Sequence, residues 1–372
     1  MFTIWKDELF KMASKKIIWL GLFLLALFLS WRLFAERKNY SVTIDGHNFY
    51  GQEAIDRDRA LTAGYAGIFT EQSVQKIYED FGFYYHDLEK DEYIGNFCNN
   101  FITRRMTNYN MVDEPSYENV SFLEGEAWEQ NVAPLLNGTF VFDYTHGWDD
   151  LKEVYSMITV MAMFILLIIL VSPVFSEEYS LKTANILLTT KRGRRSGIWL
   201  KAAAALFLVI IIYSVFTAYL WLIYGIVYGT QGLNASPVFI GITHVGYYPA
   251  TVLGFFLFSF ALGLAGLVLL TSITLLISAV CRNAFFAVIL SLAVFFVPYA
   301  WMNVLSWMLA PLIGRSLVNA VSHVMISMPF YLPVNWGFAL TVRQIAAHLG
   351  IAFVAGVCCM GGMYWCYCNY QG

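Results

Sequence analysis

Few residues in this chain have the types and spacing to do chemistry. Its six histidines, His47, His86, His146, His244, His323 and His348, stand singly, and neither an HExxH zinc motif nor a GxxxxGK[ST] phosphate loop is present. Asp87, Glu89, Asp91 and Glu92 are an acidic run without the glycine and spaced oxygen ligands of a calcium loop. Cys366 and Cys368 are too few for a zinc site. Hydroxyls at Thr271, Ser272, Thr274, Ser278 and Ser291 lie in apolar runs, where they either bond their own helix or line a path for an apolar cargo. One stretch stands apart. Ser176–Ile198 reads SEEYSLKTANILLTTKRGRRSGI, with acids, hydroxyls, leucines and a basic cluster in one short segment. Such residues suit electrostatic and hydrophobic docking, not bond making.

The elements that must position this stretch follow from composition. Of 372 residues, 58% are hydrophobic and 13% charged, with a mean hydropathy of +0.58; a soluble domain carries about 25% charged residues. The chain therefore reads as an α-helical polytopic membrane protein. Twenty of its 26 acids but nine of its 23 bases lie between Arg37 and Lys152, which gives that block a net charge of −11 and the remainder +8. An acidic polar block beside a basic apolar one excludes nucleic acid as a partner and implies a lipid bilayer. After Lys201 the charged residues are Arg282, Arg315 and Arg343. A hydrocarbon layer of about 30 Å takes about 20 helical residues, and six spans result, near Ile17–Leu33, Val154–Phe175, Trp199–Tyr228, Ala250–Val280, Ala284–Ala310 and Ile345–Tyr367. The third and fourth are separated by turn chemistry over Gly229–Ser236. The loop 311–342, with Pro329 and Pro333, either re-enters the membrane or crosses it. Ser259 and Gly263, four residues apart, mark a place where helices approach closely.

Lysines and arginines beside span ends set sidedness. Lys6, Lys11, Lys15 and Lys16 precede the first span, six bases from Lys182 to Lys201 follow the second, and Arg282 follows the fourth. The N-terminus, the loop after span two and the C-terminus are therefore expected in the cytoplasm. Residues 1–16 are expected to form an amphipathic helix with Phe2, Trp5, Leu9 and Met12 on one face and Asp7, Glu8, Lys11 and Lys15 on others. Residues 17–35 then form an uncleaved first span, and Arg32 snorkels to the headgroups. Residues 36–152 form an extracytoplasmic domain, α/β or mostly helical, and 153–372 carry spans two to six. In the domain, Tyr40, Val42 and Ile44 alternate before Asp45-Gly46, which predicts a hairpin returning through Phe49-Tyr50. Thr70 is placed to cap a helix carrying Val74, Ile77, Tyr78 and Phe81. The acids of this domain would draw cationic molecules over a Debye length of about 8–10 Å.

Within Ser176–Ile198, Leu181, Ala184 and Leu188 form one helical stripe, and Glu178 stands four residues before Lys182 as a favourable helical pair. Gly193 then interrupts the pattern. The order Glu177-Glu178-Tyr179, Thr183, Ile186-Leu187-Leu188-Thr189-Thr190-Lys191, Gly193-Arg194 and Lys201 resembles the loop of type-2 ABC exporter permeases, also called ABC-2 permeases. In that family an acidic start, a Leu-Leu-Thr core and a closing arginine form the coupling helix that sits on the ATPase. The N-terminal helix resembles the family's elbow helix. Lys191 stands where many members have proline, Lys182 where glycine is frequent and Asn185 where an acid is common.

The resemblance implies a coupling helix near 176–195, with Glu177, Glu178, Leu181, Thr183, Leu187, Leu188 and Arg194 as ATPase-coupling residues. Glu177 and Glu178 would cap or brace it, Leu187 and Leu188 would seat in the partner's groove, and Arg194 would fix its end. It further implies a non-catalytic permease of the bacterial plasma membrane that holds no cofactor of its own. ATP and Mg would sit on a separate ABC ATPase subunit present in two copies, and a second permease chain would complete a homodimer or heterodimer. The cargo would be hydrophobic or amphiphilic, a peptide, drug or lipid. The competing class is a non-transporting receptor or assembly factor whose extracytoplasmic domain binds a ligand.

Overall fold

An apolar run in hydrocarbon has one low-energy backbone, the helix that satisfies its own N–H and C=O groups. The computed structural model describes residues 2–87, 92–112, 115–116, 119–190, 196–242, 250–326 and 341–369. Among them five helices are long and apolar enough to cross a membrane: Lys16–Asn39, His146–Ser180, Ile198–Tyr228, Val252–Val280 and Val342–Cys368. The remaining expected span, Ala284–Ala310, is not one regular helix. Ala284–Ala300 has 17 residues, a wide π turn covers Trp301–Leu305, and Ser306–Ile313 continues. Pro298 lies inside the first piece; it cannot donate to the preceding turn, and a π turn close after it is a recognised way of absorbing that loss. After Gly314, at φ 86°, comes the amphipathic helix Arg315–Ile326. Residues 327–340 of the loop expected either to re-enter or to cross lie outside the described residues.

The chain divides into two compact units. The first comprises Met1–Leu27, Glu153–Tyr219 and Leu257–Gly372. Here glycines set helix approach. A Cβ on Gly263 would stand 2.0 Å from the Tyr213 hydroxyl, and one on Gly362 3.2 Å from Leu276. The Tyr213 hydroxyl in turn meets that of Tyr155 at 2.6 Å. Ser272 bonds its own helix through the Val268 carbonyl, at 2.8 Å, whereas Ser278 reaches a different one. Its Oγ accepts the backbone N–H groups of Phe175 and Ser176 at 3.0 and 3.1 Å, in the turn that follows Pro173, a residue with no N–H to give.

The second unit comprises Phe28–Lys152 and Leu220–Phe256. Strands Ser41–Ile44 and His47–Tyr50 pair antiparallel, closed by Asp45 and Gly46 at φ 51° and 75°. This is the expected hairpin, and positive φ at both central positions matches the twist of the flanking strands. Two further antiparallel pairs join Gly67–Ile68 to Val141–Phe142 and Tyr85–Asp87 to Glu92–Ile94. Thr70 caps Glu71–Phe81 in a reciprocal box with Ser73, and Val74 and Ile77 are buried. The core gathers Phe69, Ile77, Ile102, Met106 and Phe142 and takes Val238 and Phe239 from far along the chain. Phe239 packs 5.0 to 5.4 Å, ring to ring, from Phe69, Phe101 and Phe142. Ser236 exchanges hydrogen bonds with Val141, 2.9 Å through its N–H and 3.0 Å through its Oγ. The segment after span three, read from sequence only as a turn, is thus a core component of this unit.

Arg32 does not simply snorkel. Its guanidinium grips the Asp150 carboxylate at 2.6 and 2.9 Å, and the Tyr224 hydroxyl donates to the same carboxylate at 2.7 Å. A planar fork meeting a carboxylate inside one unit outweighs solvation of a lone cation. Asp58 is fully buried; its oxygens accept the Tyr40 hydroxyl and the Phe97 N–H. Burial pushes its carboxyl up to about 6, against those two hydrogen bonds.

Two measurements follow from this packing. Gly263→Ala should destabilise the full chain by about 1–3 kcal/mol through overpacking, and Tyr213→Phe in the same chain should recover part of the lost melting temperature. Because the folded Asp58 value exceeds the unfolded one, its stabilising contribution is complete below about pH 4 and is lost as pH rises through about 6, on the order of 3 kcal/mol. Asp58→Asn should flatten that part of the pH–stability curve.

Candidate functional site

The Ser176–Ile198 stretch is only partly a loop. Its first five residues continue the helix Pro173–Ser180. Lys182 then takes a left-handed φ of 58°, and a separate helix runs over Thr183–Thr189. This geometry forbids the expected Glu178–Lys182 helical pair, because the helix ends before Lys182. Glu178 turns inward instead, 2% exposed. Its carboxylate accepts the Lys201 ammonium on one oxygen and the Tyr367 hydroxyl on the other. Lys11 approaches the first oxygen at 3.8 Å, and Lys201 also faces Glu8 at 3.7 Å.

The node draws in four elements besides its own helix. Lys11 and Glu8 come from Phe2–Ala13, Lys201 from Ile198–Tyr228 and Tyr367 from Val342–Cys368. The end of Val252–Val280 contributes Ser278, and Ala279, whose carbonyl accepts the Tyr179 hydroxyl at 2.8 Å. Tyr367 is further packed by Phe175 and Tyr179, at 4.8 and 5.6 Å between rings. Beside the node, Lys15 pairs with Glu177 at 3.4 Å.

Glu8 was placed by sequence on an outer face of its helix. It lies inward with Trp5, Leu9 and Met12 while Phe10 is exposed, and the Lys201 ammonium 3.7 Å away offsets part of the cost of burying it. Burial raises the Glu8 carboxyl above the ordinary range, with Lys201 opposing. Burial likewise lowers the Lys15 ammonium, with Glu177 opposing.

Beyond the node the second helix is held lightly. Ala184 is 1% exposed and the Thr183 hydroxyl reaches the Glu178 carbonyl at 3.4 Å. Leu187 and Leu188 are half-buried, whereas Leu181 and Ile186 are 62% and 69% exposed. The expected stripe of Leu181, Ala184 and Leu188 is therefore split, with Ala184 inward and Leu181 outward, because the left-handed turn at Lys182 separates Leu181 from the second helix. The structure brings Glu177, Glu178 and Thr183 close to the node. Arg194 lies outside the described residues. Sequence reading missed Tyr367 and the roles of Lys201 and Glu8; a lone tyrosine near the end of an apolar span carries no local sign of a buried acid 189 residues away. Among the described residues no group of three or more His, Cys, Asp or Glu side chains is placed to hold a metal.

A family model described as ABC-2 family transporter protein matches residues 2–348. No curated protein and no solved structure matches the chain.

Removing one partner of a buried ion pair leaves the other charge uncompensated, at a cost of about 3–5 kcal/mol. Lys201→Met should therefore lower the melting temperature of the full chain sharply. Adding Glu178→Gln to it should restore most of the loss; equal melting temperatures for the single and double variants would contradict the node.

Proposed function

The chain belongs to the ABC-2 transporter family, and from that membership we propose that it is the permease of an ATP-driven exporter worked through the Thr183–Thr189 helix. ABC-2 permeases are multi-pass membrane transport components, not catalysts themselves, and normally work with a separate ATPase subunit. The family favours a transporter over a receptor or assembly factor. The observation that carries the coupling assignment is the contrast along one segment. Pro173–Ser180 is fastened through Glu178 to the amphipathic helix and to two long helices, while Leu181 in the turn that follows it and Ile186 in the next helix are bare. A surface apolar enough to dock, on a support stiff enough to transmit, is what a pushing partner requires.

In this reading two ATPase copies carry ATP and Mg, close on nucleotide binding and press on the exposed leucine and isoleucine. The displacement reaches Ile198–Tyr228 through Lys201 and Val342–Cys368 through Tyr367. Ala284–Ile313, with its π turn after Pro298, serves as the sixth crossing, which keeps both termini in the cytoplasm and turns the acidic unit outward. Glu177 and Glu178 brace the coupling segment, Thr183 starts its second helix, Leu187 and Leu188 back the docking face, and Arg194 closes it. A second permease chain completes the route. The cargo is hydrophobic or amphiphilic, since the polar groups along Val252–Val280 are hydroxyls and no charge interrupts that helix. A bacterial plasma membrane is the expected setting.

The test is reconstitution of the chain with the ATPase encoded in neighbouring reading frames. Hydrolysis should depend on the permease, and Leu181→Asp with Ile186→Asp should reduce that dependence at least about tenfold, about 1.4 kcal/mol, while leaving the melting temperature of the permease unchanged. Unaltered stimulation by the double variant would remove the coupling assignment.

A further inference from the structure

The acidic block averages a net charge of −11, yet the unit that contains it holds one basic cleft. Arg104 and Arg105 lie in the last turn of Phe97–Met106 and line a hollow of about 480 Å³ whose apolar wall is Phe97, Phe101 and Phe239. A second hollow of about 280 Å³, reaching Leu123 and Leu135, is lined by the same two arginines. Among the described residues neither guanidinium pairs with a carboxylate. Arg104 lies over the rings of Tyr84 and Tyr109, at 5.7 and 5.9 Å. Arg105 Nη2 and Lys152 Nζ each stand 3.2 Å from the point where a Cβ on Gly241 would lie. Lys152 is met by Asp149 and by the Ile240 carbonyl, which leaves the Arg105 guanidinium as the cation there with no carboxylate partner among the described residues. The one described acid lining the larger hollow, Asp149, is bound to Lys152 at 2.6 Å.

A third hollow of about 260 Å³ shares Phe97, Asn100 and His146 with the first. It is lined by Asn96, whose Nδ2 is buried without a hydrogen-bond partner. Among the described residues, Arg104 and Arg105 line the larger hollow and the Lys152–Asp149 pair is neutral beside them, an excess of two positive charges next to the aromatic wall, while Glu36 and Asp58 line the adjoining third hollow. That balance matches a dianion, and guanidinium forks match phosphate oxygens. A phosphate monoester carries about −1.5 to −2 charges at neutral pH. The long-range field of the acids is screened within about 8–10 Å, so the cleft's own cations decide what binds there.

We propose that this cleft binds a phosphate monoester carried on an aromatic or acyl body, with Arg104 and Arg105 on the phosphate and Phe97, Phe101 and Phe239 against the body. The site is independent of the coupling assignment and needs no ATPase. Phenyl phosphate, titrated into the full chain in phosphatidylcholine nanodiscs and followed by ligand-observed NMR, should bind saturably. Inorganic phosphate and phenol should each bind at least about tenfold more weakly, because each lacks one half of the recognition. Arg105→Gln and Arg104→Gln should each weaken phenyl phosphate about tenfold with the melting temperature unchanged, and Arg105→Lys should recover part of the affinity. Displacement by lysophosphatidate would assign the site to a lipid, and failure of lysophosphatidate to displace would assign it to a water-soluble monoester. Absence of saturable phenyl phosphate binding, or equal affinity in wild type and both glutamine variants, would overturn the proposal.

Discussion

A carboxylate taken out of water must be neutralised and hydrogen-bonded where it lies, or the fold that buries it is lost. Glu178 imposes this requirement on the apolar unit. Its two oxygens are met by Lys201 and Tyr367, with Lys11 nearby and Glu8 balancing the ammonium from the other side. Helices distant in sequence must therefore end at one point and in one rotation. Apolar packing tolerates small rotations and slides, whereas a shared carboxylate does not. The node thus gives a hydrocarbon-facing unit a register that dispersion forces alone specify weakly, and it does so beside the segment proposed to receive mechanical work.

The polar unit answers a related problem differently. One of its ionic contacts, Arg32 with Asp150 beside Tyr224, joins the end of Lys16–Asn39 to the start of His146–Ser180 and to Ile198–Tyr228. Its interior is aromatic, and stacked or edge-on rings from Phe69, Phe97, Phe101, Phe142 and Phe239 fill it. Rings bury large areas and need no polar partners, which suits a small unit whose described residues form three two-stranded sheets. The chain returns after span three to supply Val238 and Phe239. The unit therefore cannot be cut out of the sequence as one continuous block.

A division of labour follows between stiffness and access. The Glu178 carboxylate is buried among Lys201, Tyr367 and Lys11, whereas Leu181 and Ile186 a few residues away are exposed. Hydroxyls also bridge helices: Ser278 accepts the backbone N–H groups of Phe175 and Ser176, so a side chain that adds polarity to one span also fixes another.

Much of this was legible in the sequence, because local rules govern it. Spans follow from the length of apolar runs, the Asp45-Gly46 hairpin from the positive φ its turn requires, and the Thr70 cap from an oxygen three residues before an unpaired amide. Membership of the ABC-2 family was legible in the order of acids, leucines and bases after span two. Other features were not legible because they depend on partners far apart in the chain. The periodicity of Phe2–Ala13 put Glu8 on the wet face, and spacing alone paired Glu178 with Lys182. Composition determined a membrane protein with an acidic polar block, since transfer free energies act residue by residue. Only the tertiary structure decided which charges are buried and with whom, since a charge in low dielectric is placed by the nearest opposite charge in space, wherever that lies in the chain.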